Sequence, residues 1–308
     1  MKRVTVLGVL VAAGSLTIAV TAAQQNPPPQ PHVDNITVEK VKDNLFVLRG
    51  GGGNTAVFVQ AKGVTIVDTK NPGWGQPLLD KIKTLTDKPV TTVINTHLHY
   101  DHVSGNVVMP ATAEIVAHVN TATNIASPNR VLGSTTEQPN VFKDNPGKGI
   151  PKRTFTDKLT LGSGADRVDL YYFGPAHTGG DAFVAFPAHR VMHSGDAYPR
   201  NGLPIMDKNN GGSGVEYANT IRKAVKGVPN IDAIINGHTA ANTTPADMDR
   251  YADFVADFVA HVQAGKKAGK SAEQVAKEWT VPAKYTGFTA SPVETVTAYV
   301  NVIFGETK

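Results

Sequence analysis

The chain has 308 residues, enough for one large domain or two small ones with a substantial buried core. Charged residues make up 18%, and the formal charge of +4 comes with no basic run or stripe, which excludes a nucleic-acid footprint. There is no cysteine, so neither disulfides nor thiolate ligands are available, while 29 glycines and 20 prolines point to many turns rather than a helical bundle.

The N-terminus reads as a signal peptide over residues 1–23. Lys2 and Arg3 form a short positive region, Val4 to Val20 is apolar, and Thr21-Ala22-Ala23 supplies a small-x-small cleavage pattern. An exported protein, periplasmic or secreted, is expected, with no stable membrane insertion after cleavage. Residues 24–35, with Pro27, Pro28, Pro29 and Pro31, read as an extended linker. Residues 36–308 read as one catalytic domain.

Four short β-branched or apolar runs follow, Ile36 to Val41, Leu45 to Leu48, Thr55 to Gln60 and Val64 to Asp68, separated by turn signals. They predict an antiparallel meander. The run Gly50 to Gly53 is expected to be a flexible loop and a candidate lid edge. A helix is expected from about Gln76 to Leu85, with Pro77 in its first turn, and then a strand from Val90 to Asn95. From here strands and helices alternate, which predicts an α/β layered domain. Residues 113–117 read as a strand and 120–126 as a weak helix. Residues 127–152 show little periodicity and form a candidate substrate lid.

Residues 156–161 and 168–173 predict a hairpin, with further strands at 181–186, 190–193 and 231–235 and a helix over 214–225. Thr244-Pro245 opens a helix whose Met248, Tyr251, Val255, Phe258, Val259 and Val262 share one face. Ser271 to Gln274 and Ser291 to Glu294 each have capping-box spacing.

The segment Asn95-Thr96-His97-Leu98-His99-Tyr100-Asp101-His102 places three imidazoles and a carboxylate in six consecutive residues. If the backbone is extended through Leu98, His97 and His99 face the same way, because strand side chains repeat every two residues. Asp101 and His102 follow as the chain turns, so one segment can serve two ions. His177, Asp196 and His238 sit just beyond predicted strands, where the loops of an α/β sheet converge. Imidazole and carboxylate without thiolate suit Zn²⁺, and ligand type also admits iron or manganese.

These residues resemble the metallo-β-lactamase superfamily, through H-x-H-x-D-H and the order of the three later ligands. The resemblance runs from about Ile36 through Thr239. It implies a four-layer αββα sandwich with a two-metal site: His97, His99 and His177 on one ion, Asp101, His102 and His238 on the other, and Asp196 bridging. Asp68 matches the family's strand-end aspartate beneath the site, where it would orient a ligand or backbone. Water shared by two cations loses a proton near neutral pH and can attack a carbonyl. The expected substrate is therefore a small ester, lactone, thioester or amide, with Asp101 orienting the nucleophile.

Asp196 stands where β-lactamases of the superfamily generally carry Cys or Ser, which favours the glyoxalase II and lactonase pattern. A β-lactam-hydrolysing enzyme and a mononuclear-iron oxidoreductase resembling persulfide dioxygenases remain the alternatives. Tyr198 is a candidate oxyanion donor, Arg200 a candidate partner for a substrate carboxylate, and Trp74 a candidate apolar pocket wall.

Overall fold

In this computed structural model, which describes residues 29–134 and 139–307, the four opening runs pair in sequence order. They are β1 (Thr37–Lys42), β2 (Leu45–Arg49), β3 (Thr55–Val59) and β4 (Val64–Val67), each antiparallel to the last. The signal-peptide reading at residues 1–23 and the linker residues 24–28 lie outside the described residues. The end of the linker is a 3-10 turn, Val33–Asn35.

After β4 the connections change character. Helix α1 (Gly75–Lys83) carries the chain back to β5 (Val90–Asn95), which lies parallel to β4. Helix α2 (Tyr100–Val103) precedes β6 (Glu114–His118), and α3 (Val119–Asn124) and α4 (Val141–Asp144) precede β7 (Arg153–Phe155). These strands extend the same sheet in parallel, as crossover connections require, giving seven strands in the order β1 to β7. Residues 127–152 are thus not featureless. The Asn140 side chain accepts from the Phe142 and Lys143 N–H groups and starts α4.

The second sheet has five strands. β8 (Lys158–Leu161), β9 (Val168–Tyr171), β10 (Phe183–Phe186) and β11 (Val191–Gly195) are antiparallel neighbours. Helix α5 (Gly214–Gly227) then returns the chain to β12 (Ala233–Asn236), parallel to β11.

Alternating side chains from both sheets meet in a shared core. Val47, Phe58 and Ile94 from the first interlock with Leu170, Val184 and Ile235 from the second. On its outer face the first sheet buries Val57, Ile66 and Val93 against Leu78 and Ile82 of α1. The outer face of the second sheet is covered by α5, α6 (Pro245–Lys267), α7 (Ala272–Glu278) and α8 (Val293–Glu306). The layers therefore run αββα.

Capping boxes at Thr244/Asp247 and Ser271/Gln274 start α6 and α7. The box expected at Ser291 to Glu294 does not form, because α8 starts one residue later with Pro292 as its cap. Proline has no N–H to donate to an N3 side chain and no side-chain oxygen to accept from the N3 N–H.

Because β4 is parallel to β5, and β11 to β12, the C-terminal ends of these four strands open on common edges of the two sheets. Asp68, the histidine-rich segment, Asp196 and His238 all follow those ends.

Candidate metal centre

The chain leaves β5 extended and turns at His99, whose φ of −66° and ψ of 143° make it the cap of α2. His97 and His99 consequently present their rings together, with centroids 4.8 Å apart, while the α2 turn carries Asp101 and His102 to the neighbouring position. His177 arrives from the β9–β10 connection, and Asp196 and His238 from the ends of β11 and β12.

Three overlapping groups result, each with ligand atoms within 4.8 Å of one another: His97, His99 and His177; Asp101, His102 and His238; and His97, His102 and Asp196. In the first, His177 Nε2 approaches His99 Nδ1 at 2.9 Å. In the second, Asp101 Oδ2 lies 3.5 Å from His102 Nε2 and 3.3 Å from His238 Nε2. Asp196 faces both groups, with Oδ2 3.1 Å from His238 Nε2 and 3.8 Å from His177 Nε2, and Oδ1 3.3 Å from His102 Nε2.

The outward-facing nitrogen of each buried ring has a partner. His97 Nδ1 lies 3.0 Å from Thr96 Oγ1, His99 Nε2 2.8 Å from Asp207 Oδ2, His102 Nδ1 2.7 Å from Asp68 Oδ2, and His177 Nδ1 2.8 Å from the Ile205 carbonyl. Such bonds fix tautomer and orientation, leaving the other nitrogen of each ring as a lone pair directed inward. His97 Nε2 and Asp196 Oδ1 are buried there without any hydrogen-bond partner. Buried acceptors converging without a donor are unfavourable unless a cation satisfies them, so the donor set fits one or more metal ions.

Electrostatics agree. Burial drives His97 well below the usual imidazole range, and His177 to about 4. Burial also works against charge on His102, but Asp101, Asp196 and Asp68 more than offset it and hold the ring well above its ordinary value. Asp196 raises His238 to about 9. Asp101 is lowered to about 2, because His102 and His238 outweigh its own burial. The raised values of His102 and His238 reflect the negative charge that Asp101, Asp196 and Asp68 gather here, the charge that divalent cations would neutralise while leaving both rings as neutral ligands.

Asp68 accepts from the Thr96 N–H at 2.8 Å and the Thr96 hydroxyl at 2.7 Å as well as facing His102. Its backbone is left-handed, with φ of 66°. Thr96 therefore links Asp68 to His97, so one carboxylate orients a ring in each group.

Asp207 and Lys70 carry no sequence signal. Asp207 sits in a turn-like stretch, Met206 to Gly212, yet it is fully buried against His99. The Lys70 ammonium is buried and donates to the Leu48 and Gly53 carbonyls at 2.7 Å each, and burial lowers it to about 7.

The glycine run expected as a flexible lid edge is instead packed beneath the site. Gly53 donates to the Asp101 carbonyl at 3.0 Å, and a Cβ on Gly53 would collide with the His102 ring. Glycine is required there for close approach, which fixes the loop rather than freeing it.

Two substrate-contact readings are corrected. The Tyr198 ring is buried, 1% exposed, tilted against Tyr251 with its hydroxyl on Asn201 Oδ1 at 3.0 Å, so it belongs to the helical-side core rather than to an oxyanion site. Trp74 is 5% exposed and packs with Ile36, Leu48 and Leu78, so it is a core aromatic rather than a pocket wall. Arg200 is exposed and follows Pro199, whose carbonyl accepts from the His238 N–H at 3.0 Å.

Residues 48–239 match the family model described as the metallo-β-lactamase superfamily. Over 166 residues the chain is 27% identical to the 2,4-dinitroanisole O-demethylase subunit alpha of Nocardioides sp. (strain JS1661), covering 53% of this chain and 46% of that protein. Its fold is similar to that of the stereoselective inverting sec-alkylsulfatase Pisa1 from Pseudomonas sp., with a TM-score of 0.69 at 13% identity, over 86% of this chain and 49% of that one. It is also similar to a metallo-β-lactamase from Pontibacter korlensis, with a TM-score of 0.57 at 16% identity, over 71% of this chain and 98% of that one. The chain thus spans about half the length of the first two.

Proposed function

The chain belongs to the metallo-β-lactamase superfamily, and from that we propose that it is an exported, dinuclear zinc hydrolase of small esters, lactones, thioesters or amides. The observation that carries this reading is the pair of unpartnered buried acceptors, His97 Nε2 and Asp196 Oδ1, between two complete ligand groups. His97, His99 and His177 would hold one ion and Asp101, His102 and His238 the other, with Asp196 shared. Two divalent cations in such a site supply Lewis acidity and lower the pKa of a water molecule.

The protein's own groups do the rest. The side chains of His97, His99, His102 and His177 are at most 5% exposed, whereas those of Asp101 and His238 are 20% and 26% exposed. Substrate therefore meets the centre on the Asp101 and His238 side. Asp101, ionised at neutral pH, accepts a hydrogen bond from the attacking water and passes its proton towards the leaving group. Asp68 and Asp207 hold the His102 and His99 rings in place. Export rests on the reading of residues 1–23 as a leader.

The test is elemental analysis of the mature protein together with a hydrolysis panel: a 4-nitrophenyl ester, a lactone, a thioester and a β-lactam. The names of the relatives argue for adding a secondary alkyl sulfate and an aryl methyl ether. Two zinc ions per chain and turnover of a carbonyl substrate that chelator abolishes would support the proposal. One iron per chain with no hydrolysis would overturn it in favour of oxidoreductase chemistry.

A further inference from the structure

The ligand histidines are not all held alike. His97, His99, His102 and His177 each have their second ring nitrogen fixed, by Thr96, Asp207, Asp68 and the Ile205 carbonyl. The polar contacts of His238 all fall on Nε2, which faces Asp101, His102 and Asp196, and its Nδ1 has no hydrogen-bond partner among the described residues. Its side chain is also the most exposed of these rings, at 26%. No side-chain bond fixes its tautomer or orientation from behind, so its backbone has to set where the ring sits.

That backbone is gripped from the opposite sheet. Asn54, which opens β3, donates its N–H to the Gly237 carbonyl at 2.7 Å, and its side-chain amide to the Asn236 and Thr239 carbonyls at 2.8 and 2.9 Å. Arg49, at the end of β2, donates from Nη1 to the same Thr239 carbonyl at 2.8 Å. Its Nη2 donates to Glu39 Oε2 at 2.7 Å and to Asn242 Oδ1 at 3.0 Å, and Asn242 donates to Glu39 Oε1 at 2.7 Å. The carbonyls on both sides of His238 are thus held by the first sheet. Asn54 is only 4% exposed, so little water competes for these bonds.

Asn54 is itself fixed to the centre. Its carbonyl accepts from His193 Nε2 at 3.0 Å, and His193 Nδ1 accepts from the N–H of Gly195, the residue before Asp196. The N–H of Gly53, next to Asn54, holds the Asp101 carbonyl. Two consecutive N–H groups therefore bind the segments that carry Asp101 and His238, which with His102 make up the second ligand group. Among the described residues, neither Asn54 nor Arg49 bonds to His97, His99 or His177.

We propose that Asn54, supported by Arg49, is the positioning residue for His238 and sets the affinity of the second ion site without touching metal or substrate. This rests on the two-ion reading of the centre. Removing the side-chain amide should weaken binding at Asp101, His102 and His238 about 10- to 100-fold, and change the His97, His99 and His177 site by less than roughly threefold.

The test is zinc titration of the metal-free full chain in competition with a chromophoric chelator. The proteins are the wild type, Asn54→Ala, Asn54→Ser and Arg49→Lys, with His238→Ala to mark which affinity belongs to the second site. Asn54→Ala removes both side-chain donors and Asn54→Ser keeps one. Arg49→Lys loses the fork that joins Thr239 to Glu39 and Asn242. None of these three changes alters charge, so an altered affinity comes from position. The second affinity should fall most in Asn54→Ala and less in the other two. Equal loss at both sites, or a lower thermal unfolding temperature of the metal-free protein with both affinities kept, overturns the inference, makes Asn54 a structural residue and leaves the two-ion reading intact. If Asn54→Ala does not fold, the milder variants decide, and an unchanged second affinity in both overturns the inference. A wild type that binds a single zinc overturns the two-ion reading and the inference together.

Discussion

Asp68 Oδ2 and His102 Nδ1 meet at 2.7 Å, both side chains fully buried, with the aspartate held in a left-handed backbone conformation. The same carboxylate reaches His97 through the Thr96 hydroxyl. Asp68→Asn keeps the shape and tolerates the left-handed backbone but removes the carboxylate that aligns His102, one of the three whose charge raises that ring, after Asp101 and Asp196. Metal affinity should fall about 10- to 100-fold, as measured by competition with a chelator, while thermal unfolding stays cooperative. An unchanged affinity would show that Asp68 is only a structural turn residue.

A second prediction concerns the glycine loop. Gly53 lies so close to His102 that any Cβ would meet the ring, and its N–H holds the Asp101 carbonyl. Gly53→Ala must therefore move either the loop or the ligand. Overpacking of this kind costs about 1–3 kcal/mol, and here it should also weaken metal binding. Urea unfolding and metal titration of the variant would check both effects. If Gly53→Ala binds metal as well as the wild type, the loop has more freedom than its packing implies.

The centre was readable in sequence to the extent that its residues cluster or follow strand ends. His97, His99, Asp101 and His102 occupy one segment, and the apolar run before them marks the strand that aims them. His177, Asp196 and His238 were readable because each follows an apolar run. Asp207 was not, because a lone aspartate before Lys-Asn-Asn-Gly-Gly has the composition of a solvated turn, and only the fold brings it under His99. Lys70 was hidden for a similar reason: its buried ammonium is satisfied by carbonyls of Leu48 and Gly53, residues 22 and 17 positions earlier. Tyr198 misled in the opposite direction. Its position two residues after Asp196 suggested the site, but the packing of α6 draws its ring against Tyr251.

Tyr198→Phe follows from that last point. The phenol's hydrogen bond is to Asn201, so its loss should remove about 1 kcal/mol of stability and leave kcat/KM of any processed substrate within roughly twofold. A fall of 100-fold or more in kcat would return Tyr198 to the oxyanion role.

The last prediction is a pH dependence centred on Asp181. This carboxyl is buried, and burial raises it to about 7 although the Thr178 N–H and hydroxyl both donate to it and pull in the other direction. An unfolded aspartate titrates near 3.8, so between roughly pH 4 and pH 7 the native state holds a proton that the unfolded state has released. Stability must then fall as pH rises through that window. The contribution is complete below about pH 4 and lost above about pH 7, a swing of about 4 kcal/mol at ~1.4 kcal/mol per unit. Asp181→Asn cannot titrate but keeps an acceptor for Thr178. Urea unfolding of both proteins from pH 4.5 to 8 should therefore give a difference, wild type minus variant, that declines with rising pH and levels off above 7. His99 and Asp196 act electrostatically on Asp181, so the part of the metal-centre titration that does not depend on Asp181 cancels in that difference and the coupled part adds to it. Parallel curves across the range would mean that Asp181 is ionised throughout, held by Thr178 more firmly than its burial opposes.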